Sequence, residues 1–560
     1  MKHRFYSYIW AFRSKIRLMD FEIILANGNV FDGSGKAPIH CDIGINKGVI
    51  TKMGALSSAY AEKTIEAAGL MVCPGFIDAH SHSDTYLLIE PSAASKIYQG
   101  ITTEICGNCG ASAAPLNGNY KMPSDWLDKD YSRIGQAGTP APHVEQTFQS
   151  ALPGAADSPP WSTVADYRER FTEAQPAINA ALLVGHNTLH AGICGYEPRA
   201  GTPEEMKQML QALEQALDEG AIGLSSGLAY SPGSAVPREE LVELAKVVAK
   251  RGGLYTTHMR SESNRLLEAI DEAIDIAGRS GARLQISHLK ASGSSNWSKL
   301  DTAFEKIRAA SADAQIGSDR YPYTAGCTDL DIVLPEWASY GGRDAVLARL
   351  RNPETRKKIR DELLDSPPGR WSDVMIGSTQ FEPFKGKYLP DVAEALGMGE
   401  VEALLHLIDA DDLKTGGIFF GMSEENMWRV LAEPYVSIGS DGSLRAPWGP
   451  LSHDHPHPRA YGSHTRFLRA ALDGKTVPPA EAIRKMTALP AEQFGLKKRG
   501  LLKEGCVADI AIFDPDAIQE NTTYADPHQL SDGMRHVIVN GAHALEHGKH
   551  TAERGGCFLG

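Results

Sequence analysis

Eight short apolar runs, each bounded by turn residues, recur along this chain near residues 76–79, 102–105, 180–184, 221–224, 253–257, 284–287, 314–317 and 435–440. Most are separated by segments whose apolar residues fall at helical spacing, such as 203–219 and 238–250. Strands that alternate with helical crossovers form a parallel sheet covered by helices, so the pattern predicts an α/β fold, a (β/α)8 TIM-like barrel. Segment 262–279 fits as one of the barrel helices, with Leu266, Leu267, Ile270, Ile274 and Ile276 for packing.

Residues ahead of the first run also read as strands, at 21–25, 41–45 and 49–53, with a turn at Asn27-Gly28. So do 508–513 and 536–540 near the other end, the latter closing in Asn540-Gly541, a strong turn signal. Both ends are expected to combine into one small β-sandwich. The predicted organisation is therefore a β-sandwich from 19–72 plus 490–560, a barrel over 73–489, and an insertion at 326–412 acting as a lid. Residues 1–18 read as a disordered N-terminal extension, and 117–163, rich in Gly, Pro and Ser, as a long loop.

A formal net charge of -14, with no basic tract, argues against nucleic acid as a partner. No apolar run approaches the roughly 20 residues that span a bilayer, so no membrane partner is expected either. The eight cysteines show no paired framework and read as reduced thiols of a cytoplasmic protein. Cys106 and Cys109 form a Cys-x-x-Cys, but no second such pair completes a zinc ribbon, and the glycines around Cys109 suggest a tight loop.

What the apolar runs end on carries the chemistry. In such a barrel, reactive side chains project from the C-terminal ends of the strands. The first run ends on His80 and His82, whose i, i+2 spacing puts both imidazoles on one face. An isolated His-x-His is as often a surface pair as a metal site, and company decides. The loop after the second run carries Cys109, the fifth run ends on His258, the sixth on His288 and the eighth on Asp441. Cys, His and Asp are the ligands zinc accepts, and zinc-bound water loses a proton near neutral pH, which is what amide hydrolysis needs. Asp441 alone, in Ser-Asp-Gly, would read as a turn residue.

The chain resembles the amidohydrolase superfamily and, within it, the D-aminoacylase (N-acyl-D-amino-acid deacylase) branch. The resemblance runs from about residue 21 to 560 through PGFIDAHSHSD (74–84), GITTEICGNCG (100–110), GLSSGLAYSPG (223–233), THMRSE (257–262), ISHLK (286–290), DRYPYTAG (319–326), IGSDG (438–442) and HPRAYG (457–462). It implies that Cys109, His258 and His288 hold one tightly bound Zn2+, that His80, His82 and Asp441 form a possible second, weaker position, and that Asp441 is the general base. It also implies cleavage of the amide of an N-acyl-D-amino acid, or of a dipeptide with a C-terminal D residue, by metal-bound hydroxide. The D stereochemistry comes from the resemblance alone.

For the α-carboxylate of such a small-molecule substrate, the planar fork of Arg459 is the leading candidate, with Lys290 and Tyr321 beside it. Tyr230 matches a further pocket residue of the family. Each has a plainer reading as a surface charge or loop packing. The chain departs from the family pattern at Cys327, where a serine is expected, and in a longer interval from Asp441 to Arg459, which contains Trp448 and a second His-x-His, His453 and His455, read as a rim feature. Two alternatives compete: opening of a cyclic amide, as in dihydroorotases and hydantoinases, and a non-catalytic scaffold on the same fold.

Overall fold

The computed structural model describes residues 20–116, 161–365 and 369–560. The expected extension at 1–18 and most of the 117–163 stretch lie outside the described residues.

Eight parallel strands, Phe76–Asp78, Ile101–Cys106, Asn179–Gly185, Gly223–Gly227, Leu254–His258, Arg283–Ile286, Ile316–Arg320 and Val436–Ile438, pair in chain order. The first and last meet through Ala79 N, which donates to Ile438 O at 3.1 Å, and a parallel bridge between Ser81 and Gly442. This is the barrel that the alternating pattern predicts. Each strand is buried on both faces because side chains fill the interior and helices cover the outside.

The covering helices form for local reasons. Pro203–Asp218 starts on a capping box, in which Thr202 accepts from Glu205 N and the Glu205 carboxylate accepts from Thr202 N, with Pro203 in the first turn. Its buried Met209, Leu213 and Ala216 fall on one face. Leu266–Ser280 buries Leu266, Ala269, Ile270, Ala273, Ile276 and Ala277, while Leu267 and Ile274 pack half-buried at the edge of that stripe.

A second nine-stranded sheet draws on both ends of the chain. Phe21–Val30, Ile39–Asn46, Val49–Gly54, Ala61–Glu66 and Met71–Pro74 come from the beginning, and Ile510–Phe513, Met534–Val539, Ala542–Glu546 and Lys549–His550 from the end. The join is antiparallel, Ile512 opposite Val72. Ile23, Leu25, Ile43, Ile45, Val72, Ile510 and Ile538 form its own apolar core.

Between the seventh and eighth barrel strands, Ala325–Asp329, Val374–Ile376 and Gly416–Phe420 make a three-stranded antiparallel sheet. The helices Leu389–Leu396 and Glu400–Ala410 close a separate core with it, around Leu330, Val392, Leu404 and Ile408. A cavity of about 1310 Å³ lies between this layer and the C-terminal rim of the barrel. Among the described residues, no helix is long and apolar enough to cross a membrane.

Candidate metal centre

All six candidate ligands converge at the C-terminal rim. Cys109 Sγ lies 3.3 Å from His80 Nε2 and 3.4 Å from His288 Nε2. Asp441 Oδ1 lies 3.3 Å from His80 Nε2 and 3.1 Å from His82 Nε2. The His258 and His288 ring centroids are 4.5 Å apart. One ligand atom from each of His80, Cys109, His288 and Asp441 fits within 4.8 Å of the others, and all four residues are buried.

The backbone is contorted to achieve this. Cys109, His288 and Asp441 all sit in the left-handed region, at φ 51°, 36° and 50°. Non-glycine residues pay for that conformation, and its concentration at three candidate ligands is the pattern seen where geometry serves function. The loop carrying Cys109 is pressed onto its neighbours. At Gly107 (φ 75°) a Cβ would come within 2.1 Å of Leu183 O, and at Gly110 (φ 77°) within 2.2 Å of Asn187 Oδ1, so both positions require glycine.

A second layer of partners aims the rings. His80 Nδ1 lies 3.1 Å from Asp319 Oδ1, leaving Nε2 to face the thiol, and the same oxygen accepts from His288 N at 2.8 Å. His288 Nδ1 lies 2.6 Å from Glu262 Oε1 and 2.9 Å from Lys290 Nζ. Carboxylates behind imidazoles in this way fix the tautomer and orientation of metal-binding histidines. Beneath the rim, the fully buried Lys96 donates to Asp78 at 2.9 Å, Ser440 Oγ at 3.1 Å and Gly442 O at 3.2 Å, and pairs with Glu104 at 2.7 Å, so it ties the first, second and eighth strands together.

Electrostatics favour the anionic forms of Cys109 and Asp441, and, against the cost of burial, the same anions raise His80 and His288 above the ordinary imidazole value. Burial pushes the Cys109 thiol up, but the His80 and His288 imidazoles outweigh it and hold the group well below its ordinary value. Burial also works against ionised Asp441, and Arg459 with the surrounding histidines keeps it well below the usual carboxylate range. The donor set therefore fits a borderline-soft divalent cation. His258 Nδ1 is buried with no hydrogen-bond partner among the described residues, as expected of a ring whose partner is a metal.

The substrate-site candidates line the same cavity, with internal partners. Arg459 Nη1 donates to Asp441 Oδ2 at 2.6 Å and Nη2 to Cys327 O at 3.0 Å. Lys290 Nζ donates to Glu262 Oε1 at 2.5 Å. Tyr321 is fully buried, its hydroxyl has no partner among the described residues, and Arg320 and Arg459 lie 4.1 and 4.8 Å from its ring centre. Tyr230 packs edge-on to His258 at 4.9 Å, with its hydroxyl 3.2 Å from Thr328 Oγ1. His455 stands apart, with Nε2 2.8 Å from Tyr524 O.

Reading the sequence for ligands passed over Glu262, Asp319 and Lys96. The first two lie within motifs already singled out, THMRSE and DRYPYTAG, and their position at the ends of strands five and seven was the available signal. Lys96 gave none, because an isolated lysine on a helical segment reads as a surface charge.

A parallel eight-stranded barrel gathering Cys, His and Asp at its C-terminal rim defines a hydrolase of the metal-assisted type. The chain matches the amidohydrolase family over residues 63–414 and 436–543 and belongs to it. It is 33% identical over 542 residues to a D-aminoacylase of Alcaligenes xylosoxydans xylosoxydans, covering 96% of this chain and 97% of that one. It is also 33% identical over 523 residues to an N-acyl-D-glutamate deacylase of the same organism, covering 93% of each. A crystal structure of N-acyl-D-glutamate deacylase from Bordetella bronchiseptica, complexed with zinc and a phosphonate inhibitor that mimics the tetrahedral intermediate, superposes with a TM-score of 0.79 at 30% identity, covering 96% of this chain and 99% of that one.

Proposed function

We propose that this chain hydrolyses the amide bond of N-acyl-D-amino acids, or of dipeptides ending in a D residue. The observation that carries the reading is the convergence of Cys109, His80, His288 and Asp441 within 4.8 Å, beside a cavity lined by Arg459, Lys290 and Tyr321. Zinc is the cation the donors suit: Cys109, His258 and His288 would hold it tightly, His80, His82 and Asp441 would make a weaker second position, and the ion would supply Lewis acidity and an acidified water.

The chain's own groups do the rest. Asp441 takes the proton of the attacking water and delivers it to the departing amine nitrogen, one carboxylate serving both transfers. Arg459 offers five N–H donors in a plane, so it can hold Asp441 on one edge and the substrate α-carboxylate on another. Lys290 adds charge and Tyr321 a buried hydroxyl to the same subsite. Glu262 aims His288 and anchors Lys290; although burial would push its carboxyl up, Lys290 and His288 hold it well below the usual range. Glu262→Gln is therefore expected to weaken zinc about ten- to a hundredfold, measured by competition with a chelator.

The 326–412 insertion acts as the lid over this site. On the side of the insertion and the strand Gly416–Phe420 that follows it, the cavity is lined by Ile332, Val333, Trp371, Val374, Phe419 and Phe420 together with the acidic Asp329, Asp331 and Glu336, and the arginines there are engaged, Arg343 with Asp412 at 3.5 Å and Arg370 with Asp373 at 2.8 Å. An acidic substrate side chain needs a cation, whereas an apolar one gains from this surface. The test is a panel of N-acetyl-D- and L-amino acids, assayed for released amine alongside hydantoin and dihydroorotate. D-Leu, D-Met and D-Phe derivatives are expected to exceed D-Glu and D-Asp by about tenfold or more in kcat/KM, the order that one or two kcal/mol of burial gives. Opening of the cyclic substrates without amine release would sink the proposal.

A further inference from the structure

In the second sheet, outside the barrel, the C-terminal hairpin carries another group of ligand-type side chains. Met534–Val539 pairs antiparallel with Ala542–Glu546, His536 opposite Glu546 and Ile538 opposite His543. Directly opposed residues share a face, as do residues two apart on one strand. A bulge between Val537 and Ile538 puts one extra residue on the second strand, so His543 and Glu546, three apart, also point the same way. One ligand atom from each of His536, His543 and Glu546 lies within 4.8 Å of the others. His547, in the turn that follows, brings its ring centroid to 4.7 Å from that of His536 and its Nε2 to 3.9 Å from Glu546 Oε1.

Two features are unusual for a structural cluster. His536 and His543 are each 3% exposed, and His536 Nδ1 and His543 Nε2 are buried without a hydrogen-bond partner among the described residues. A positive charge also already sits beside the carboxylate. Lys63, from the strand Ala61–Glu66, places Nζ 2.7 Å from Glu546 Oε1 and 3.4 Å from His543 Nδ1, yet reaches neither orphaned nitrogen.

We propose that His536, His543 and Glu546, with His547 as fourth ligand, form a zinc-type divalent metal site that is filled by displacing Lys63 from Glu546. Three imidazoles and a carboxylate are a donor set that zinc and its late first-row neighbours accept in four-coordination. All four come from one hairpin, so the bound ion pins its two strands together without any contribution from the barrel.

Equilibrium dialysis of the full chain against zinc, with bound metal counted by mass spectrometry, tests this. Cys109→Ala removes the tight barrel-rim ion and isolates the hairpin. In that background, Glu546→Gln, near-isosteric on a half-exposed side chain, and His543→Gln are each expected to lose one zinc per chain at saturation. Lys63→Met is expected to bind the same ion several-fold tighter. If His543→Gln fails to fold, Glu546→Gln and Lys63→Met still decide. A zinc count unchanged by Glu546→Gln, or an affinity unmoved by Lys63→Met, overturns the site.

Discussion

Cys109→Ala should abolish tight zinc binding at the barrel rim and lower kcat/KM by about a thousandfold or more, the several kcal/mol that a Lewis acid would contribute. The reason is positional. Sγ sits between His80 Nε2 at 3.3 Å and His288 Nε2 at 3.4 Å, so it belongs to both halves of the ligand set and its loss opens both. Cys109→Ser separates the need for a thiolate from the need to fill space. It preserves the volume but offers a weak, protonated oxygen, and should bind zinc nearly as poorly as the alanine variant. Zinc content by elemental analysis, taken with kcat/KM on the best N-acetyl-D-amino acid, is the measurement. Full activity in the alanine variant would remove the site from consideration.

The next largest effect should come from Asp441→Asn, which keeps the shape and one accepting oxygen for Arg459 Nη1, with its amide NH2 turned toward His82, but cannot accept the proton. A fall of about 10² to 10⁴ in kcat with little change in KM is expected of a lost general base. Arg459→Met provides the contrast. If Arg459 binds the substrate carboxylate, KM rises by an order of magnitude or more, because a charge-assisted hydrogen bond is worth about 1.5–3 kcal/mol. If the guanidinium serves only to hold Asp441, as its 2.6 Å contact would also allow, kcat falls instead and KM stays where it was.

Much of the candidate ligand set is legible in the primary structure because strand-end position is a local property. His80 and His82 announced themselves by i, i+2 spacing after an apolar run, and His258, His288 and Asp441 by closing three others. Cys109 was weaker, since Cys-x-x-Cys has several readings and the resemblance chose among them. The partners behind the ligands were not legible. Glu262 reads as the first charge of an amphipathic helix, Asp319 as an ordinary strand-end polar residue, and Lys96, the cation that ties three strands beneath the rim, as solvated surface. The contact of Arg459 with Asp441 was hidden as well, because the two lie 18 positions apart and meet only in the folded chain.

Periodicity and turn chemistry depend on neighbours within a few positions, so the sequence by itself determined the alternation of strand and helix, and with it the barrel and the rim on which its chemistry sits. Which atoms meet was decided only in three dimensions. Cys109 and His288 are 179 positions apart, and Asp441 is 359 from His82. Their contact depends on strand register and on closure of the first strand against the eighth, where an error of one residue turns a ligand out of the site. The carboxylates behind the histidines and the lysine under the rim are products of that closure, which no local pattern encodes.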